Sequence, residues 1–205
     1  MDRMNWNIKP ENRAARHARA ADALGADLAG KCMATDAIGK LLEAGDRVVR
    51  EGNNQKQADF LAQALVQVDP QRVHGLHMVQ SVLALPEHLD IFENGVAARL
   101  HFSFSGPQGA RLAKLVSAGR IEIGAIHTYL ELFARYFVDL TPKVALVAAQ
   151  AADAEGNLYT GPNTEDTPAI VEATAFSGGI VIAQITNGST ARPRRCRAST
   201  SRPAG

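Results

Sequence analysis

Val144 to Ala149 is a continuous apolar run. Such a run marks a strand covered on both faces. Arg99 to Phe104 alternates apolar and polar positions and predicts a strand with two unlike faces. Arg47–Arg50, His74–Leu83, Ile121–Ile126 and Gly179–Gln184 also read as strands. Between them the period lengthens. Gln57 to Val68 predicts a helix with Phe60, Leu61, Ala64, Leu65 and Val68 on its buried face, closed by Asp69-Pro70. Pro86 opens another helix, where a missing N–H is harmless. Ala110–Ser117, Thr128–Tyr136 and Pro168–Thr174 complete the internal helices. Near the start, Asn12–Leu24 predicts a helix carrying Arg13, Arg16 and Arg19 on one side, read as a solvated face rather than a binding surface. Thr35 is suited to cap a helix that runs to Ala44 and is ended by Gly45. This alternation of strand and helix implies an α/β fold with a mainly parallel sheet and helices on both faces.

Composition narrows the function. Charged residues make up 21% of the 205 residues and the net charge is +1, so the whole chain has no electrostatic pull toward nucleic acid. No apolar run approaches the roughly 20 residues of a membrane helix. Met1 to Arg19 lacks the apolar core of a signal peptide. Cys32 and Cys196 form no motif, which fits a reducing compartment. A cytoplasmic protein is expected, with no membrane or nucleic-acid partner.

Candidate chemistry lies in the loops that follow the strands. Gly52, Asn53, Asn54, Gln55 and Lys56 join a strand to a helix. Their N–H groups and the Lys56 charge could hold a phosphate or an acyl oxygen, or form a plain turn. Ser105, Gly106, Gln108 and Gly109 form a second such loop, where glycine lets a substrate approach the backbone. Gly-x-Ser-x-Gly is absent there, so backbone binding is favoured over a nucleophilic serine. Gly156 and Asn157 form the turn after the apolar strand. His127 ends a strand and either faces the cleft or is a hydrogen-bonded structural histidine. Glu165 and Asp166 either act as acid or base groups or favour the N-terminus of the next helix, and the second reading is preferred. No dinucleotide or P-loop fingerprint and no metal-ligand spacing is present, so no metal site is assigned.

The pattern Ala-x-x-Ala-Asp-x-x-Gly-Asn-Leu at Ala149 to Leu158, after an apolar strand, resembles the signature of the CoA-transferase fold family. The runs Glu51–Phe60, His77–Pro86, Phe102–Gly109, Ile123–Leu130 and Tyr159–Pro168 are similar to the malonate decarboxylase alpha-subunit family. The resemblance covers about residues 30 to 185. It implies a CoA-transferase-like fold and an acyl-carrier-protein transferase that exchanges acetate for malonate on the carrier thiol. The implied partners are an acyl carrier protein subunit and decarboxylase subunits. The implied group is the carrier's phosphopantetheine-type arm, derived from dephospho-CoA, with no cofactor held tightly by this chain. Thioester binding would fall to Gly52–Lys56, Ser105, Gly106, Gln108, Gly109, His127, Gly156 and Asn157. One class of the wider family uses a glutamate that forms an acyl anhydride. It lies in the second half of that fold and maps onto no residue here, so no catalytic residue is assigned.

The expected organisation is an N-terminal arm and helix over 1–30, one CoA-transferase-like domain over 31–185, and a tail over 186–205. The tail holds five arginines and little that is apolar. It reads as disordered or, preferably, as frameshifted, since residues 197–205 shifted by one base give an ordinary globular segment. The family subunit is longer, with two related domains, so this chain alone is expected to lack transferase activity. The competing reading is a non-catalytic half-domain that binds the carrier or the decarboxylase subunits. A sugar-phosphate isomerase or sensor is a third.

Overall fold

A computed structural model describes residues 10–25, 37–52, 56–153, 156–162 and 166–186. The expectations for the arm, the Thr35 cap, Asn53, Asn54, Gln55, Glu165 and the tail beyond Thr186 fall outside these residues.

Six parallel strands form the sheet: β1 (Arg47–Arg50), β2 (Leu76–Val82), β3 (Ala97–Phe104), β4 (Glu122–Ile126), β5 (Val144–Ala149) and β8 (Ile180–Ile185). Their order is β4-β3-β2-β1-β5-β8. The chain therefore winds outward from β1 to β4, then crosses back to lay β5 on the other side of β1. A short antiparallel hairpin, β6 (Ala151–Ala152) and β7 (Leu158–Tyr159), extends from the end of β5. It was not anticipated, because two-residue strands carry no period.

Register explains why the sheet holds. Ile123, Leu100, Met78, Val48, Val144 and Ile180 lie in one row across all six strands. They face the first core, beneath α2 (Ala37–Leu41), α3 (Asp59–Val66), α4 (Glu87–Glu93) and α5 (Gly109–Ser117). Val49, Val79, Ala145 and Val147 point the other way. They meet Leu132 and Tyr136 of α6 (Tyr129–Val138) and Ile170 and Ala173 of α7 (Thr167–Phe176). Helices thus cover both faces, as the continuous apolar run of β5 requires, and all six of its residues are buried.

Helix α1 (Pro10–Leu24) packs Ala20, Ala23 and Leu24 against the first core. Arg16 donates to the Lys143 carbonyl at 3.1 Å, and Arg19 pairs with Glu43. These two arginines therefore fix the helix to the domain instead of forming a free basic stripe. Phe60 departs from expectation: it is 51% exposed, although its period placed it on the buried face of α3. It stands in the first turn of α3, where its N–H donates to Gln184 Oε1 at 2.9 Å.

Candidate functional site at the carboxyl edge of the sheet

Because all six strands are parallel, the loops after them share one edge. In open α/β sheets the ligand crevice lies at that edge, where the winding direction reverses. Here the reversal separates β1 from β5. Glu51 and Gly52 follow β1 and stand at this point. Glu51 is buried. Its Oε2 accepts from the Ala148 N–H of β5 at 2.6 Å. Its Oε1 accepts from Lys56 Nζ at 2.9 Å and from the Thr167 hydroxyl. Lys56 Nζ also donates to Thr167 Oγ1 at 2.6 Å. One carboxylate thus ties together the end of β1, the end of β5, the β1–α3 loop and the start of α7.

Beside it, the Ser81 hydroxyl donates to Asp166 Oδ2, and both residues are buried. Asp166 precedes α7 but makes no side-chain cap hydrogen bond. Its carboxylate reaches across to β2. Tyr136 of α6 closes this cluster. Its phenol is held well above the usual tyrosine range, first by burial and then by the Asp166 charge.

The remaining candidates are placed as follows. Gly106 takes φ +57, and a Cβ there would lie 2.9 Å from the Leu83 carbonyl oxygen. The close approach that glycine permits is therefore to the end of β2. Residues Gly106–Gln108 form a 3-10 turn leading into α5, and Gln108 Nε2 donates to the Ala84 carbonyl at 3.4 Å. Ser105 Oγ packs against Gly109. The Gly156 and Asn157 N–H groups both donate to Asp153 Oδ1, at 2.9 and 2.8 Å. Those two N–H groups are committed to a turn, and hydrogen bonds from the Asn157 side chain first, then from the Asn157 N–H, the Tyr159 hydroxyl and the Gly156 N–H, hold the Asp153 carboxyl below its ordinary value.

His127 is enclosed in a side-chain chain. Its Nδ1 lies 3.0 Å from Glu131 Oε1, and its Nε2 lies 3.2 Å from His101 Nδ1. The Glu131 carboxylate can only accept, so His127 donates from Nδ1. The structural alternative is the one this geometry fits. His77 stacks next in line, its ring centroid 4.6 Å from that of His101. Burial lowers both His77 and His101 to about 4, helped by nearby arginines and, for His101, by the other two rings.

Glu51, Thr167, Ser81 and Asp166 form the buried centre of the edge, yet spacing did not single out the first three. The one readable sign was an acidic residue directly after a buried strand. Around this centre Phe60, Phe104, Ile126, Tyr159 and Ile185 remain exposed, all at the carboxyl edge. Among the described residues no helix is long and apolar enough to cross a membrane.

Comparison with known proteins places this arrangement. A family described as "Malonate decarboxylase, alpha subunit, transporter" matches residues 5–196. An acetyl-S-ACP:malonate ACP transferase from Malonomonas rubra is 59% identical over 145 residues, 71% of this chain and 26% of that protein. The malonate decarboxylase alpha subunit of Acinetobacter baumannii superposes with a TM-score of 0.77 at 45% identity, over 86% of this chain and 33% of that one. A Pseudomonas malonate decarboxylase hetero-tetramer in complex with malonate gives the same TM-score and coverage at 52% identity. The AibA/AibB decarboxylase, at 16% identity and a TM-score of 0.57, over 79% of this chain and 76% of that one, shares the fold alone. The chain spans about a quarter to a third of the length of its high-identity relatives. With the family match running through nearly all of the sequence and the parallel sheet superposing on its members, the chain belongs to the family of malonate decarboxylase alpha subunits.

Proposed function

We propose that this protein takes part in acyl exchange on a carrier protein: acetyl-carrier plus malonate gives malonyl-carrier plus acetate. The observation that carries the reading is the 59% identity with the acetyl-S-ACP:malonate ACP transferase. The switch-point position supports it, since the β1–α3 loop and the start of α7 meet at that edge. The acyl-bearing group is a phosphopantetheine-type thiol derived from dephospho-CoA. The partners are the carrier and the decarboxylase subunits.

The exchange needs no water. A malonate carboxylate oxygen attacks the thioester carbonyl, the C–S bond breaks, and the carrier leaves as thiolate with a mixed anhydride behind. The thiolate then attacks the malonyl carbonyl, and acetate leaves. Gly52–Lys56 and Ser105–Gly109 are the segments assigned to position the thioester and to offer N–H groups to the developing oxyanion. Lys56 supports this indirectly, through the Glu51 and Thr167 contacts that fix its loop.

A second reading is favoured by the exposed Phe60, Phe104, Ile126, Tyr159 and Ile185. An apolar edge of this kind suits docking of a partner. One assay separates the two. The purified chain is mixed with acetyl-loaded carrier and malonate, and the carrier is weighed by mass spectrometry. Appearance of malonyl-carrier supports exchange by this chain. Carrier that co-elutes with the chain but keeps its acetyl group supports docking alone. If neither event occurs, both readings fail.

A further inference from the structure

Arg50, the last residue of β1, is buried on the sheet face opposite Glu51. One guanidinium nitrogen, Nη2, donates to Gln80 Oε1. Among the described residues its Nε and Nη1 have no hydrogen-bond partner, and burial lowers the guanidinium to about 9. Gln80 is equally buried. With its oxygen accepting from Arg50, its unpaired Nε2 is a donor. His88, in the first turn of α4, completes the group. The Ala84 N–H donates to His88 Nδ1 at 3.3 Å, so the neutral ring carries its proton on Nε2, which is also buried and unpaired. The Val82 carbonyl lies near enough to favour the protonated ring slightly, yet it makes no hydrogen bond with Nε2.

All the unpaired atoms in this group are therefore donors. Arg50 contributes two, Gln80 one and His88 one. Unsatisfied buried donors are rare, and a cluster of one polarity around a cation lacks an acceptor, specifically an anion. Glu87 is the carboxylate whose charge Arg50 feels, and it makes no ion pair with it. The Lys56 cation is engaged by Glu51, whereas Arg50 is not engaged by any carboxylate among the described residues. The group is also continuous with the candidate substrate loops: Ala84, which bonds His88, accepts through its carbonyl from Gln108.

We propose that Arg50, Gln80 and His88 form a carboxylate site that holds the non-reacting carboxylate of a dicarboxylate substrate. This rests on the exchange reading above, under which that substrate is malonate. Acetate, with one carboxylate, cannot fill the site and present a reacting carboxylate at the same time. The trio therefore sets the preference for a dicarboxylate. The four atoms are shielded from solvent, so access requires local opening at the ends of β1 and β2.

The test is equilibrium binding of 13C-labelled malonate and acetate to the full chain, with Arg50→Met and His88→Phe as variants. Circular dichroism checks that each variant folds. The wild type should bind malonate more tightly than acetate. Arg50→Met should abolish that difference, and His88→Phe, which removes one neutral donor, should weaken malonate by about tenfold. Should Arg50→Met fail to fold, His88→Phe still decides the matter. Malonate binding unchanged in the folded variants, or no binding to wild type, overturns the site. Acyl exchange is measured in parallel on the wild type and on both variants. Exchange without dependence on the trio sinks this inference and leaves the function standing. Trio-dependent malonate binding without any exchange does the reverse.

Discussion

Lys56 Nζ lies 2.9 Å from Glu51 Oε1, and both groups are largely shut off from solvent. The cation that the sequence offered as a substrate anchor is thus engaged within the protein. Removing one partner of such a pair leaves the other charge buried. Glu51→Ala also strips the acceptor from the Ala148 N–H. It should destabilise the fold by about 3–5 kcal/mol. Urea unfolding measures this, and a loss under about 1 kcal/mol would show that the pair is not the brace of the edge.

Gly124 is the extra residue at the register shift between β3 and β4, where Leu100 pairs with Ile123 but His101 pairs with Ala125. A Cβ at Gly124 would lie 2.0 Å from His101 Nε2. The bulge and the missing side chain together make room for the ring. Gly124→Ala should cost about 1–3 kcal/mol through overpacking. His101→Ala should relieve that clash, so the double variant should be more stable than the sum of the two single losses. Additive losses in the double-mutant cycle would rule out the clash.

His77 and His101 fall from 6.5 to about 4 on folding, chiefly by burial. Their neutral forms are favoured in the native state. The resulting contribution is complete above pH 6.5 and is lost as pH falls toward 4. The groups facing them are Arg47 and Arg99 from the strands, Arg135 from α6, and His127 with its Glu131 partner. His101→Gln should therefore flatten the fall in urea midpoint over that range. An unchanged pH slope would mean that the ring is not the titrating group.

Gly106 combines a positive φ with close approach to the Leu83 carbonyl. Gly106→Ala is strained on both counts and should cost about 1–3 kcal/mol, read by thermal or urea unfolding. A neutral result would mean that the 3-10 turn shifts freely away from β2.

The sequence by itself determined the class of fold. Val144–Ala149 read as a strand covered on both faces and is one, and the Arg47–Arg50 strand falls where its pattern put it. Positions that obey a period of two or 3.6 are visible because one buried face must be continuously apolar. The same logic placed the Gly52–Lys56 and Ser105–Gly109 loops, since each follows a strand. What it did not carry was the order of the strands, which depends on which edge each crossover chooses. Tertiary structure alone brought β5 beside β1, and with it the contacts of Glu51 with Ala148 and Thr167, which lie 97 and 116 residues away. It also placed Arg50 beside Gln80 without a carboxylate. Buried polar groups break the apolar period that makes strands legible. Their partners are chosen by packing in three dimensions, so their meaning appears only in the folded chain.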